Sequence, residues 1–213
     1  HELGVSAIYL RYNSGLPIEA NAQAFAALFE RAALAAPQVL DWQLIGHSMG
    51  GLIARRAHDI AASDGLTWPK CAPMIICLGS PHLGAPLEKL GHLATAALNV
   101  SKVTKPLARI AGARSQGIKD LRHGLKGKAR SLTPPALRFV FATLGDESDT
   151  TMGPLIGKMF GDGLVMASSA ADHSSGGDVQ RVEVAGLGHM GLLNHPRVYA
   201  LIRRWLGAPD AAA

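Results

Sequence analysis

A chain of 213 residues with 48% hydrophobic and 17% charged side chains holds enough apolar material for one sizeable core and does not call for two domains. Aromatics at 5% disfavour an aromatic-filled barrel and suit helices packed closely on a sheet. The net charge of +5 is concentrated: Lys102 to Arg130 carries nine Lys/Arg and one Asp, a local +8 that leaves −3 elsewhere, and without interleaved aromatics it reads as a solvated excursion and not a nucleic-acid surface.

In chain order, Val5–Leu10 is a short β-favouring run, the turn-rich Arg11–Pro17 follows, and the Ala-rich stretch Glu19–Ala35 has helical composition. Trp42–Ile45 predicts a second strand ending at Gly46, and Gly50–Ala62 a helix whose Leu52, Ile53, Ala57 and Ile60 share a face. Met74–Leu78 is nearly all apolar, as in a strand buried on both faces, and leads through the turn 79–86 to a helix candidate at Leu87–Leu98. After the basic segment come strands at Leu137–Leu144 and Val179–Val184, then a final helix with Tyr199, Ile202, Trp205 and Leu206 as its apolar stripe. Strands alternating with helices imply an α/β fold with a parallel sheet and right-handed crossovers, with reactive groups gathered at the carboxyl ends of the strands.

Gly46-His47-Ser48-Met49-Gly50 sits between a strand and a helix, the context of a nucleophile elbow, where the central serine occupies a strained turn and its neighbours must be small. An alcohol at neutral pH needs a general base, and the base needs a carboxylate to fix its tautomer. His189, among the glycines of 186–191 just beyond the last strand, is the expected base; His195, directly before Pro196, fits a helix start better. His47 is expected to pack near the elbow, and His58, His82, His92, His123 and His173 to be structural, His58 on a helix surface. Two acids compete: Asp146 directly follows the strand 137–144, and Asp162 lies between glycines in Gly161–Val165. Local chemistry leaves them tied.

The elbow, the segment 79–86, Gly161–Val165 and 186–196 together resemble bacterial lipase/esterase-like α/β-hydrolases, including those grouped with the GPI inositol-deacylase-like lipases, over most of residues 5–206. The resemblance implies one α/β-hydrolase domain over 1–213 with 99–133 as a cap or lid insertion. It also implies the triad order Ser48, Asp162, His189, which selects Asp162 over Asp146. The implied activity is cleavage of carboxylic, lipid-like esters through an acyl-enzyme. Acyl transfer or thioester cleavage by the same triad, or a non-catalytic lipid-binding or scaffold role, are the alternatives. The Met49 backbone N–H is the recognisable oxyanion donor. The upstream loop and strands that supply a second donor in that fold do not precede Val5, so the N-terminal part of the fold, with any export signal, is expected to be missing and a sheet edge exposed.

No cofactor or metal is expected, since Cys71 and Cys77 flank a predicted strand without zinc spacing and read as free thiols. No apolar run reaches about 18 residues, so no membrane span is expected and the location is expected to be cytoplasmic. The expected partners are an ester or lipid substrate and, through the basic segment, an anionic membrane surface; oligomeric state is not legible.

Overall fold

The computed structural model describes residues 3–84, 116–125, 134–143 and 177–207. Within them a parallel four-stranded sheet runs in the order β1 (Gln43–His47), β2 (Met74–Leu78), β3 (Ala136–Thr143), β4 (Val179–Ala185). Pairing aligns Gln43 with Met74, Met74 with Ala136 and Leu137 with Val179, so the strands finish at one end of the sheet. Helices α1 (Ile18–Ala35), α2 (Met49–Ser63), α3 (Gln116–Asp120) and α4 (Pro196–Trp205) accompany it, with short 3-10 turns at Trp68–Cys71 and His189–Leu193. No helix among the described residues is long and apolar enough to cross a membrane.

The period-2 alternation of side chains in the strands divides the core into two faces. Leu44, Ile75, Cys77, Leu137 and Phe139 meet Ala22, Ala26, Ala54, Ala57 and Ala61 of α1 and α2, where alanines let the two helices approach closely. Met74, Ile76, Leu78, Val140 and Val184 meet Leu192 and Val198 on the opposite side, with Trp205 packed against them. Four of the aromatics, Phe25, Phe29, Trp42 and Trp68, form one tilted and edge-to-face cluster on the first of these faces. The β2 burial pattern is unbroken, as expected for a strand covered on both faces.

Two expectations fail. Val5–Leu10 forms no strand; it runs irregularly, with Ile8 77% and Tyr9 89% exposed. β-favouring residues hold a strand only against a neighbouring ladder, and the described sheet offers them none. The same circumstance leaves β1 at one edge, paired only to β2 among the described residues, with Ile45 exposed. His58, expected on a helix surface, is instead buried against the edge of the Trp68 ring, 5.6 Å between centroids. The expected helix at Leu87–Leu98 lies outside the described residues.

Candidate active site

The elbow begins where β1 ends. Ser48 has φ 53° and ψ −122°, the one positive φ on a non-glycine residue among those described. Such backbone costs on the order of 1–3 kcal/mol and persists only where its surroundings enforce it. The enforcing contacts are local. The Ser48 N–H donates to the Leu78 carbonyl at 2.9 Å, clipping the turn to the end of β2. A Cβ on Gly46 would lie 2.5–2.6 Å from the Gly50 carbonyl, so only glycine lets the helix start this close to the strand. Gly51 likewise makes room for Ser80 and Cys77.

Ser48 is 8% exposed, and its Oγ has no hydrogen-bond partner among the described residues. A buried hydroxyl without a partner costs free energy unless a role compensates. Met49 opens α2, so its N–H belongs to the first turn, where amide donors have no intrahelical acceptor and the helix dipole favours negative charge. The Met49 side chain is buried with Leu52, Ile53, Leu121 and Leu125, which fixes the start of the helix.

His189 arrives from the far side of the sheet. The Leu187 N–H donates to the Thr143 carbonyl at 3.0 Å, tying the β4 exit to the end of β3, and the 3-10 turn starting at His189 then folds back. His189 is 3% exposed. Its ring lies 4.6 Å from the His47 ring, and its carbonyl accepts from His47 Nε2 at 3.2 Å. A Cβ on Gly79 would stand 3.0 Å from His189 Nδ1 and Cε1, and Gly79 itself has φ +59°. Leu78 therefore holds the serine backbone while the next residue touches the His189 imidazole. Ser48 and His189 share the carboxyl end of the sheet, 141 positions apart in a 213-residue chain.

Asp162 and its competitor Asp146 lie outside the described residues. His195 is the N-cap of α4, where Nδ1 accepts from the Arg197 N–H at 3.3 Å, consistent with a structural part. Cys71 and Cys77 are free thiols. Among the described residues no group of three or more His, Cys, Asp or Glu gathers as a metal site would require.

Of the segment proposed as a cap, the described portion 116–125 is fastened to the body. The Asp120 carboxylate accepts from the Ile18 N–H at 3.0 Å, the Leu125 N–H donates to the His82 carbonyl at 2.9 Å, and Leu121 and Leu125 are buried against α2.

Two contacts near the elbow gave no sequence signal. Tyr12 comes from the loop before α1, its hydroxyl 3.9 Å from where a Gly50 Cβ would be, and burial pushes its phenol above the usual value. That loop is held by Asn13, whose carbonyl accepts from the Asn21 side chain at 3.0 Å. His47 could be placed near the elbow from sequence, but its grip on the His189 backbone depends on a contact across 142 positions.

The PGAP1-like alpha/beta domain family matches residues 28–121. Among solved structures, the mature Bacillus licheniformis lipase BlEst2 is similar with TM-score 0.60 and 17% identity, over 90% of this chain and 75% of the lipase. A thermophilic esterase aligns with TM-score 0.52 and 15% identity, over 93% of this chain and 75% of its own. Human thioesterase 2 aligns with TM-score 0.51 and 15% identity, over 86% and 79%. No curated protein matches the sequence. The parallel sheet, the elbow at its carboxyl end and these likenesses agree: the chain has the α/β-hydrolase fold, with residues 28–121 matching the PGAP1-like alpha/beta domain.

Proposed function

We propose that the protein is a serine hydrolase that cleaves carboxylic, lipid-like esters through an acyl-Ser48 intermediate, with His189 as general base and acid and Asp162 as the carboxylate orienting it. The observation that carries the reading is that a strained, buried serine and a buried histidine are held by neighbouring residues, Leu78 and Gly79, at the end of β2. Strain on a polar residue whose hydroxyl satisfies no described partner favours a reactive group over a packing one.

In this reading Ser48 Oγ attacks the ester carbonyl as its proton passes to His189, and the carbonyl electron pair settles on oxygen. The Met49 N–H, at the head of α2, stabilises that oxyanion. Removing one such donor in hydrolases costs about a hundredfold to a thousandfold, so the donor count sets the rate. Collapse breaks the C–O bond to the alcohol, which leaves with the proton from His189. Water, deprotonated by His189, then attacks the acyl-enzyme; the acid departs and Ser48 recovers its proton. The His47 hydrogen bond to the His189 carbonyl supports this role by fixing the backbone from which the imidazole projects. Segment 99–133 would cover the acyl site from above, with 116–125 as its anchored root.

Turnover of short- and medium-chain p-nitrophenyl esters tests the reading: the wild-type chain should release nitrophenol and Ser48→Ala and His189→Ala should not. Equal turnover in Ser48→Ala would end it. The thioesterases among similar folds favour a second reading, thioester cleavage or acyl transfer by the same intermediate. Product analysis with an acyl-thioester and a competing alcohol separates the two. Vesicle binding that survives in a chain without any turnover would instead support a lipid-binding or scaffold role.

A further inference from the structure

Arg55 and His82 are both buried, at 6% and 1% exposure, and neither enters the acyl chemistry above. Arg55 lies on α2, seven residues beyond the nucleophile and nearly two turns into the helix that Ser48 precedes. His82 lies in the turn that leaves β2. Their side chains meet at 2.9 Å, Arg55 Nη1 to His82 Nδ1. A guanidinium can only donate, so His82 Nδ1 accepts, and the imidazole proton of the neutral ring sits on Nε2. The fully buried Phe139 ring, in the middle of β3, backs both partners: the His82 ring meets it edge-on at 4.9 Å, and the Arg55 guanidinium carbon lies 5.5 Å from its centroid.

The turn so gripped is short and, among the described residues, touches both His189 and segment 116–125. Gly79, three residues before His82, abuts the His189 imidazole. The His82 backbone carbonyl accepts the Leu125 N–H at 2.9 Å, and Gly84 packs against the Arg122 carbonyl. One buried side-chain contact thus joins the helix that Ser48 precedes to the turn that supports both His189 and the described segment 116–125.

Resting on the ester-hydrolase reading, we propose that Arg55 and His82 form a positioning pair which sets the distance between the nucleophile helix and the turn under His189. A buried guanidinium is costly to desolvate, and a hydrophobic pair of similar volume would often hold helix and turn together as well. What hydrophobic packing lacks is direction. A charge-assisted hydrogen bond fixes its two ends to a few tenths of an ångström, and displacement of reacting groups by about 1 Å can cost on the order of a hundredfold in rate.

Four variants of the full chain test the pair: Arg55→Met and Arg55→Lys, His82→Leu and His82→Asn. Asn carries its amide oxygen near the position of imidazole Nδ1 and keeps an acceptor there, whereas Leu keeps bulk without one. The readouts are kcat and KM on a p-nitrophenyl ester, thermal melting, and the rate at which a fluorophosphonate labels Ser48. His82→Leu and Arg55→Met should melt well above the assay temperature, keep KM within about threefold, and lose about tenfold to a hundredfold in kcat and labelling rate. His82→Asn should recover to within about fivefold of wild type. Folded His82→Leu with wild-type kcat, a loss confined to KM, or a His82→Asn variant no better than His82→Leu would each overturn the pair. If His82→Leu does not fold, His82→Asn against Arg55→Lys decides: Arg55→Lys must lose more kcat, because an ammonium cannot reproduce the direction of the guanidinium. A wild-type chain that neither turns over ester nor is labelled counts against the hydrolase reading itself, and the proposal falls with it; an active wild type with indifferent variants counts against the pair alone.

Discussion

Acidification should weaken the fold through His58 before most carboxylates titrate. The imidazole is 2% exposed, stacked edge-on against Trp68, and burial lowers its pKa from 6.5 to about 4, partly offset by a hydrogen bond to the Pro69 carbonyl. Its Nδ1 has no partner among the described residues, so a proton placed there would be both buried and unsatisfied. Because the folded pKa lies below the unfolded one, the unfolded chain binds the proton first as pH falls. The stability that neutral His58 contributes is therefore complete above about pH 6.5 and is lost on the way down to about pH 4. One pKa unit corresponds to about 1.4 kcal/mol, so the whole loss is about 3 kcal/mol, of which about 2 kcal/mol falls between pH 7.5 and pH 5. Urea unfolding of wild type and His58→Leu at pH 7.5, 6 and 5 measures it by difference, since every other titration is common to both chains. The wild-type advantage over the variant should shrink by about 2 kcal/mol across that range. Parallel profiles, or a wild type that gains on the variant as pH falls, would refute the buried neutral imidazole.

Three further outcomes follow from the elbow and its neighbours. Gly46→Ala drives a methyl into the Gly50 carbonyl and should cost about 1–3 kcal/mol in urea unfolding, while Gly65→Ala, whose Cβ would meet nothing, should cost only the roughly 1–2 kcal/mol of its positive φ. Gly79→Ala should push the His189 ring aside and lower ester turnover by about tenfold or more with the fold retained by circular dichroism; unchanged kcat would show that the contact is slack. Asp162→Asn should lower kcat on the order of ten-thousandfold, as tautomer control predicts, and Asp146→Asn by no more than a few-fold; the reverse pattern would make Asp146 the acid.

The parallel sheet could be read because continuous apolar runs such as Met74–Leu78 have few other places to go, and β2 matches that range residue for residue. Helices α1 and α2 begin and end within a residue or two of their apolar periodicity. The elbow was legible for a different reason: glycines at 46 and 51 record close approaches that a side chain would block. Val5–Leu10 misled because β propensity describes what a strand does beside a partner and is silent on whether the partner is there. His58 misled because polar periodicity on α2 marks a solvent face only where nothing else packs, and the 3-10 turn at Trp68–Cys71 covers that position. Arg55, His82 and the grip of His47 on His189 could not be read at all, since each is a contact between residues 27 to 142 positions apart.

Acyl chemistry at the elbow requires that residue 48 carry a hydroxyl more reactive than an ordinary serine. Incubation with a fluorophosphonate at pH 7.5, followed by peptide mass spectrometry, reads this directly. One adduct per chain on the peptide containing Ser48, absent from Ser48→Ala and slowed at least a hundredfold in His189→Ala, is the expected result. Modification spread over several serines, or none on the elbow peptide of a folded chain, would contradict it.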